Sequence, residues 1–77
     1  MSLEVSAESA RATRVRSLMP LIRGNRVEAR VLDMVVHRGF VDDVAPEARV
    51  LWIISEDTGR RKLIPLDTFS LWLVPAA

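Results

Sequence analysis

The stretch from Ala48 to Val74, ARVLWIISEDTGRRKLIPLDTFSLWLV, decides the fold. It reads as strand, tight turn, strand, corner and strand. Val50-Leu51-Trp52-Ile53-Ile54 is an unbroken apolar run that suits a strand covered on both faces. Glu56-Asp57-Thr58-Gly59 suits a type I turn ending on a left-handed glycine. Pro65 lacks a backbone donor, so the strand from residue 60 must end there or lie on a sheet edge. Pro65-Leu66-Asp67-Thr68 makes a corner or one helical turn, and residues 69–74 form the last strand. Strands joined in this order form the closing half of a small β-barrel.

Upstream, Val27, Ala29 and Val31 alternate with Arg26, Glu28 and Arg30, which is the period of a strand. After Val31 the apolar set becomes Leu32, Met34 and Val36. A strand over residues 26–37 is therefore expected to carry a bulge or sharp bend, because an inserted residue exchanges the faces. Gly24-Asn25 tolerates positive φ and suits a turn, with a short strand over Leu21 to Arg23 before it. His37-Arg38-Gly39 and the segment from Asp42 to Glu47 read as turn or loop, with Phe40-Val41 as an apolar island.

Near the N-terminus, Val5, Ala12, Val15, Met19 and Ile22 recur at three- and four-residue spacing, with Leu18 beside them. Ser6 is a suitable N-cap, and Glu8 suits the positive end of the helix dipole. Pro20 disfavours helical geometry at Met19, so a helix is expected over residues 7–18. Met1-Ser2-Leu3 carry no weight in this reading.

Seventy-seven residues are expected to form one domain, 1–77. A chain of this length buries only about 60–65% of its unfolded surface, so modest stability is expected. With no cysteine, disulfides and cysteine zinc sites are excluded, which fits a reducing cytoplasm. No apolar run is long enough for a membrane helix, and no secretory signal pattern is visible. A cytoplasmic domain without membrane attachment is expected. The net charge of +1 hides a split between a +3 half, residues 1–38, and a −2 half, residues 39–77. Electrostatic arguments must therefore rest on local patches.

Little in the chain suggests catalysis. His37 is the only histidine, and Ser55 and Ser70 lack a nucleophile-elbow setting. Glycines 24, 39 and 59 stand apart, so no phosphate-cradling glycine loop exists. Asp33, Asp42, Asp43 and Glu47 lack the spacing of a calcium loop and read as solvated carboxylates. No enzyme activity, metal or cofactor is expected.

The arginines carry more information. Arginine-rich surfaces neutralise phosphates, and Trp52, Trp72, Phe40 and Phe69 are candidates for base stacking. Their aliphatic neighbours instead favour core positions for both tryptophans, and Phe69 reads as a packing anchor. Arg23, Arg26, Arg30, Arg60, Arg61 and Lys62 are the candidate nucleic-acid contacts, with simple solvation as the other reading. Trp52, Ile54, Leu71 and Leu73 are candidate interface residues, because the apolar strands offer more surface than one small interior uses.

Gly24-Asn25-Arg26-Val27-Glu28-Ala29-Arg30-Val31-Leu32-Asp33 resembles the turn and bent strand of the Rho-binding antiterminator family, within the broader Sm-like barrels. Arg60-Arg61-Lys62-Leu63-Ile64-Pro65-Leu66-Asp67-Thr68-Phe69 resembles that family's penultimate strand and corner. The two segments cover about a quarter of the chain. The ending also resembles Src-homology-3-like barrels. These resemblances imply a mainly β fold, a small five-stranded Sm-like or Src-homology-3-like barrel with a short N-terminal helix. They further imply a regulatory role linked to RNA or single-stranded DNA, or to a regulatory protein partner. Ala29 stands where these families tend to place glycine, and Arg26 and Arg30 replace acidic surface. The alternative is a protein-interaction module that forms a homo-oligomer through apolar strand faces.

Overall fold

The computed structural model describes residues 7–75. Helix α1 (Ala7–Ala10) is followed by strands β1 (Thr13–Val15), β2 (Arg26–Val31), β3 (Met34–Ala45), β4 (Val50–Ser55), β5 (Arg61–Pro65) and β6 (Ser70–Leu73). A one-turn 3-10 helix, Pro46–Ala48, separates β3 from β4. The strands form one antiparallel sheet in the order β1-β6-β2-β3-β4-β5. The fold is thus mainly β with one short helix, and the sheet has six strands where five were expected.

The extra strand comes from the expected helix. Only four residues are helical, because at residue 13 the chain turns to pair Thr13, Arg14 and Val15 with Leu73, Trp72 and Leu71. A helix this short has no stability of its own, and pairing with β6 satisfies the backbone of the following segment better. Leu18 and Leu21 are buried, whereas Met19 and Ile22 from the same stripe are exposed. The N-cap reading of Ser6 and the stripe position Val5 lie outside the described residues.

The change of phase after Val31 marks a hairpin turn, not a bend within one strand. Leu32 and Asp33 both adopt left-handed backbone, with φ of 49° and 67°, and join β2 directly to β3. Two successive positive φ values are what a two-residue hairpin turn requires. A register shift does occur nearby, between Ala29 and Arg30 of the β2–β3 ladder. β3 then runs through the segment expected as loop. Its second irregularity, between Val41 and Asp43, lets the acidic pair fit within the strand. Residues 21–23 form no strand, although Gly24 N–H donates to the Val41 carbonyl (2.8 Å) and Gly24 takes a φ of 93°.

The downstream reading holds closely. Gly59 closes the β4–β5 turn in left-handed geometry (φ 70°), and its N–H donates to the Ser55 carbonyl. The corner after β5 is fixed by hydrogen bonds from Thr68 and Phe69 N–H to the Pro65 carbonyl.

Val27, Ala29, Val41, Leu51, Ile53, Ile64 and Leu71 fill the interior with Leu18 and Leu21. Val15 from one end of the sheet and Leu66, which follows its other end, pack against the same core. The sheet therefore curls around a single interior. Gly39 makes one close approach possible: a Cβ there would lie 2.1 Å from the Ile54 carbonyl oxygen. No side chain fits between β3 and β4 at that point.

Candidate functional site

The outer face of the sheet has two parts with opposite chemistry. Over β2, β3 and β6 it is charged, and the charges are satisfied internally. Glu28 points away from the apolar interior, yet it is fully buried (0% exposed). Ser9 of α1 donates its hydroxyl to Glu28 Oε2 and so caps the site. Arg30 donates to Oε1 at 2.8 and 3.1 Å, and Arg38, opposite Glu28 on β3, donates to Oε2 at 3.0 Å. Arg30 also donates to the Ser9 carbonyl and stacks over the Trp72 ring at 4.2 Å. Burial alone would push the Glu28 carboxyl up. The hydrogen bonds from Ser9, Arg30 and Arg38 outweigh it and hold the group below the ordinary carboxylate range.

The sequence-derived cation set is largely occupied. Arg26 binds Glu56 (2.6 Å) and Glu8, and these two hydrogen bonds raise its pKa further. Arg30 belongs to the Glu28 cluster. Arg23 and Arg61 hold the two oxygens of Asp42 at 3.1 and 2.8 Å. The Asp42 carboxyl is consequently lowered, chiefly by Arg61, with burial opposing and Arg23 adding to the effect. Arg60 and Lys62 alone of the six have no carboxylate partner among the described residues. The six do not converge on one surface: Arg61 lies outward opposite Ile54, while Lys62 lies on the other side of β5, opposite Ile53.

The second part of the outer face covers β3, β4 and β5 and is apolar. The burial of β4 alternates, with Leu51, Ile53 and Ser55 inside and Val50, Trp52 and Ile54 outside. Cross-strand register then builds three outward rows. They are Phe40-Ile54-Arg61, Asp43-Trp52-Leu63 and Ala45-Val50-Pro65. Phe40 and Leu63 are 42% and 46% exposed, and Arg61 stacks over Trp52 at 4.1 Å. Both tryptophans expected in the core lie instead on this outer face, half-buried beneath arginines. A flat ring under a guanidinium keeps its apolar area covered without occupying the small interior. Of the candidate interface residues, Trp52 and Ile54 lie on the apolar patch. Leu71 is a core residue (1% exposed), and Leu73 packs against the core.

A second apolar surface went unrecognised as such in the sequence. At the β2–β3 hairpin tip, Val31, Leu32, Met34, Val35 and Val36 are all exposed, Leu32 at 93%. Its signal was the doubled apolar phase around Leu32-Asp33. Glu28 and Arg38 were also missed as a unit. Their signal was a lone acid between two arginines on one strand face.

Phe69 does act as a packing anchor, and His37 meets its ring edge-on at 5.4 Å. Among the described residues no group of acidic or histidine side chains is arranged to hold a metal ion. No helix among them is long and apolar enough to cross a membrane. No protein-family model matches the chain, and neither a curated protein nor a solved structure matches it.

Proposed function

We propose that this chain is a non-catalytic assembly module whose apolar β3–β5 face docks against the same face of a second copy. The observation that carries this reading is the three-row patch centred on Trp52, with Phe40 and Leu63 left nearly half exposed. Contiguous exposed apolar surface of this kind marks interaction sites. Charge placement does not oppose a self-complementary contact. Asp43 lies on the β3 edge of the patch and Arg61 on the β5 edge. A two-fold axis running along the strands near Trp52 keeps like charges of the two copies apart, while Arg61 stays on Asp42 and Trp52. With a net charge of +1, two copies repel each other little.

The fold proposal that accompanies this reading is a Sm-like or Src-homology-3-like barrel. Its support is the β2–β5 meander, the return of β6 beside β2, and the core shared by both ends of the sheet. A nucleic-acid role draws less support, because four of its six expected contacts must first leave a carboxylate to take a phosphate.

Leu63→Asp and Phe40→Asp test the assembly directly, since both positions are exposed and neither belongs to the core. Light scattering after gel filtration is expected to give a dimer for the wild type and a folded monomer for each variant. A variant that keeps the wild-type mass would refute the interface.

A further inference from the structure

Away from the apolar face, at the seam where the two ends of the curled sheet approach, lies a small open pocket of about 110 Å³. Arg14, Arg16 and Arg49 line it, above a floor that includes Val15, Leu66 and Phe69. The volume holds several waters and is well below the several hundred Å³ of a typical organic-ligand site. It suits a small oxyanion.

The electrostatics differ from those of the arginine clusters on the outer face. Arg23, Arg26, Arg30, Arg38 and Arg61 each hold a carboxylate at 3.1 Å or closer. Arg14 and Arg16 pair with no carboxylate among the described residues. The nearest pairing at the pocket is Arg49 Nε to Asp67 at 3.8 Å, beyond hydrogen-bond range, and that aspartate side chain is 89% exposed. Arg14, Arg16 and Arg49 thus line one concavity, two of them with no carboxylate partner among the described residues and the third with a loose, exposed one.

The backbone supplies a second observation. Arg49 takes left-handed geometry, φ 55° and ψ 42°, which L-residues with a Cβ seldom adopt. Its N–H donates to the Pro46 carbonyl (3.1 Å), and its carbonyl accepts from Leu66 N–H (2.9 Å). This is the left-handed cap that ends the 3-10 helix Pro46–Ala48, and with the Leu66 hydrogen bond it fixes the backbone of Arg49 beside the pocket. β1 also ends the sheet, so alternate peptide N–H groups along it face away from β6 with no strand partner among the described residues. Backbone donors at a sheet edge and planar guanidinium forks together match a tetrahedral oxyanion.

We infer that this pocket binds a phosphate group, held by Arg14, Arg16 and Arg49. The phosphate can belong to a free phosphate or phosphomonoester, or to the diester backbone of a single strand. The inference stands apart from the assembly face, which shares none of the three arginines.

The test is an amide-resolved NMR titration of the full chain at low ionic strength. One arm uses inorganic phosphate and the other a thymidine oligonucleotide of about ten nucleotides, within the usual span of single-strand sites. Saturable shifts centred on residues 14–16, 49 and 66–70 are expected in at least one arm. Combining Arg14→Gln, Arg16→Gln and Arg49→Asn should weaken that binding by about tenfold or more, because charge-assisted contacts are lost. Asparagine tolerates the left-handed backbone, and the unchanged remainder of the spectrum verifies the fold. Arg60→Gln with Lys62→Gln should leave affinity unchanged. A response to phosphate identifies the free or monoester source, and a response to the oligonucleotide alone identifies the diester. Shifts that do not saturate, that spread over all arginines, or that persist in the triple variant overturn the inference.

Discussion

The β2–β3 hairpin has two ends only a few residues apart, and they obey different rules. At its base, Glu28, Arg30, Arg38 and Ser9 sink four polar side chains into a satisfied cluster on the outer face. At its tip, Val31, Leu32, Met34, Val35 and Val36 leave apolar side chains in solvent. The usual division of polar surface and apolar interior is inverted along one pair of strands. Charge at the base is structural, because removing one member strands the others. The bare tip contributes nothing comparable to the core and is free to serve contacts.

That contrast can be broken first at Gly39, which joins the base of the hairpin to β4. Gly39→Ala forces a Cβ against the Ile54 carbonyl and should cost about 4 kcal/mol or more. Urea denaturation should find the variant largely unfolded, and near wild-type stability would mean that β3 and β4 are not so close. Glu28→Ala comes next. It leaves Arg30 and Arg38 without their shared anion and should cost about 3 kcal/mol, or on the order of 15 °C in Tm. A loss below about 1 kcal/mol would show that the cluster is solvated after all.

Acidification probes the same cluster. The Glu28 carboxyl lies below its ordinary value in the fold but not in the unfolded chain. Its contribution is therefore complete above the ordinary carboxylate pKa, about 4.3, and is lost as pH falls through the lower folded value. Tm should fall below about pH 4, and Glu28→Gln should flatten that decline, as followed by circular dichroism. A variant with an unchanged slope would remove Glu28 from the account.

The smallest expected effect lies at the tip and has the opposite sign. Leu32 pays the steric cost of left-handed backbone that asparagine tolerates. Leu32→Asn should raise stability by several tenths of a kcal/mol, up to about 1 kcal/mol. Destabilisation in a thermal melt would mean that the exposed leucine packs against the fold.

The closing half of the fold was legible because its signals are local. The turn at Gly59, the corner after Pro65 and the apolar strands each follow from residues within a few positions of one another. The N-terminal segment was not, since Arg14-Val15 owes its strand geometry to Trp72 and Leu71, far along the chain. The same limit hid the site chemistry. Sequence places Arg26 and Arg30 on one strand face, but only the tertiary fold brings Glu56 and Glu8 to Arg26, Ser9 to Arg30 and Arg38 to the shared Glu28. The tryptophans were placed inside for their aliphatic neighbours, although cross-strand arginines cover them outside.

The assembly claim is tested most directly by sedimentation equilibrium of the wild-type chain at low and at high salt. Apolar docking predicts a dimer whose dissociation constant is unchanged or tighter at high salt, because screening does not weaken burial of Phe40, Trp52 and Leu63. A monomer at both salt concentrations, or a dimer that dissociates as salt rises, would contradict it.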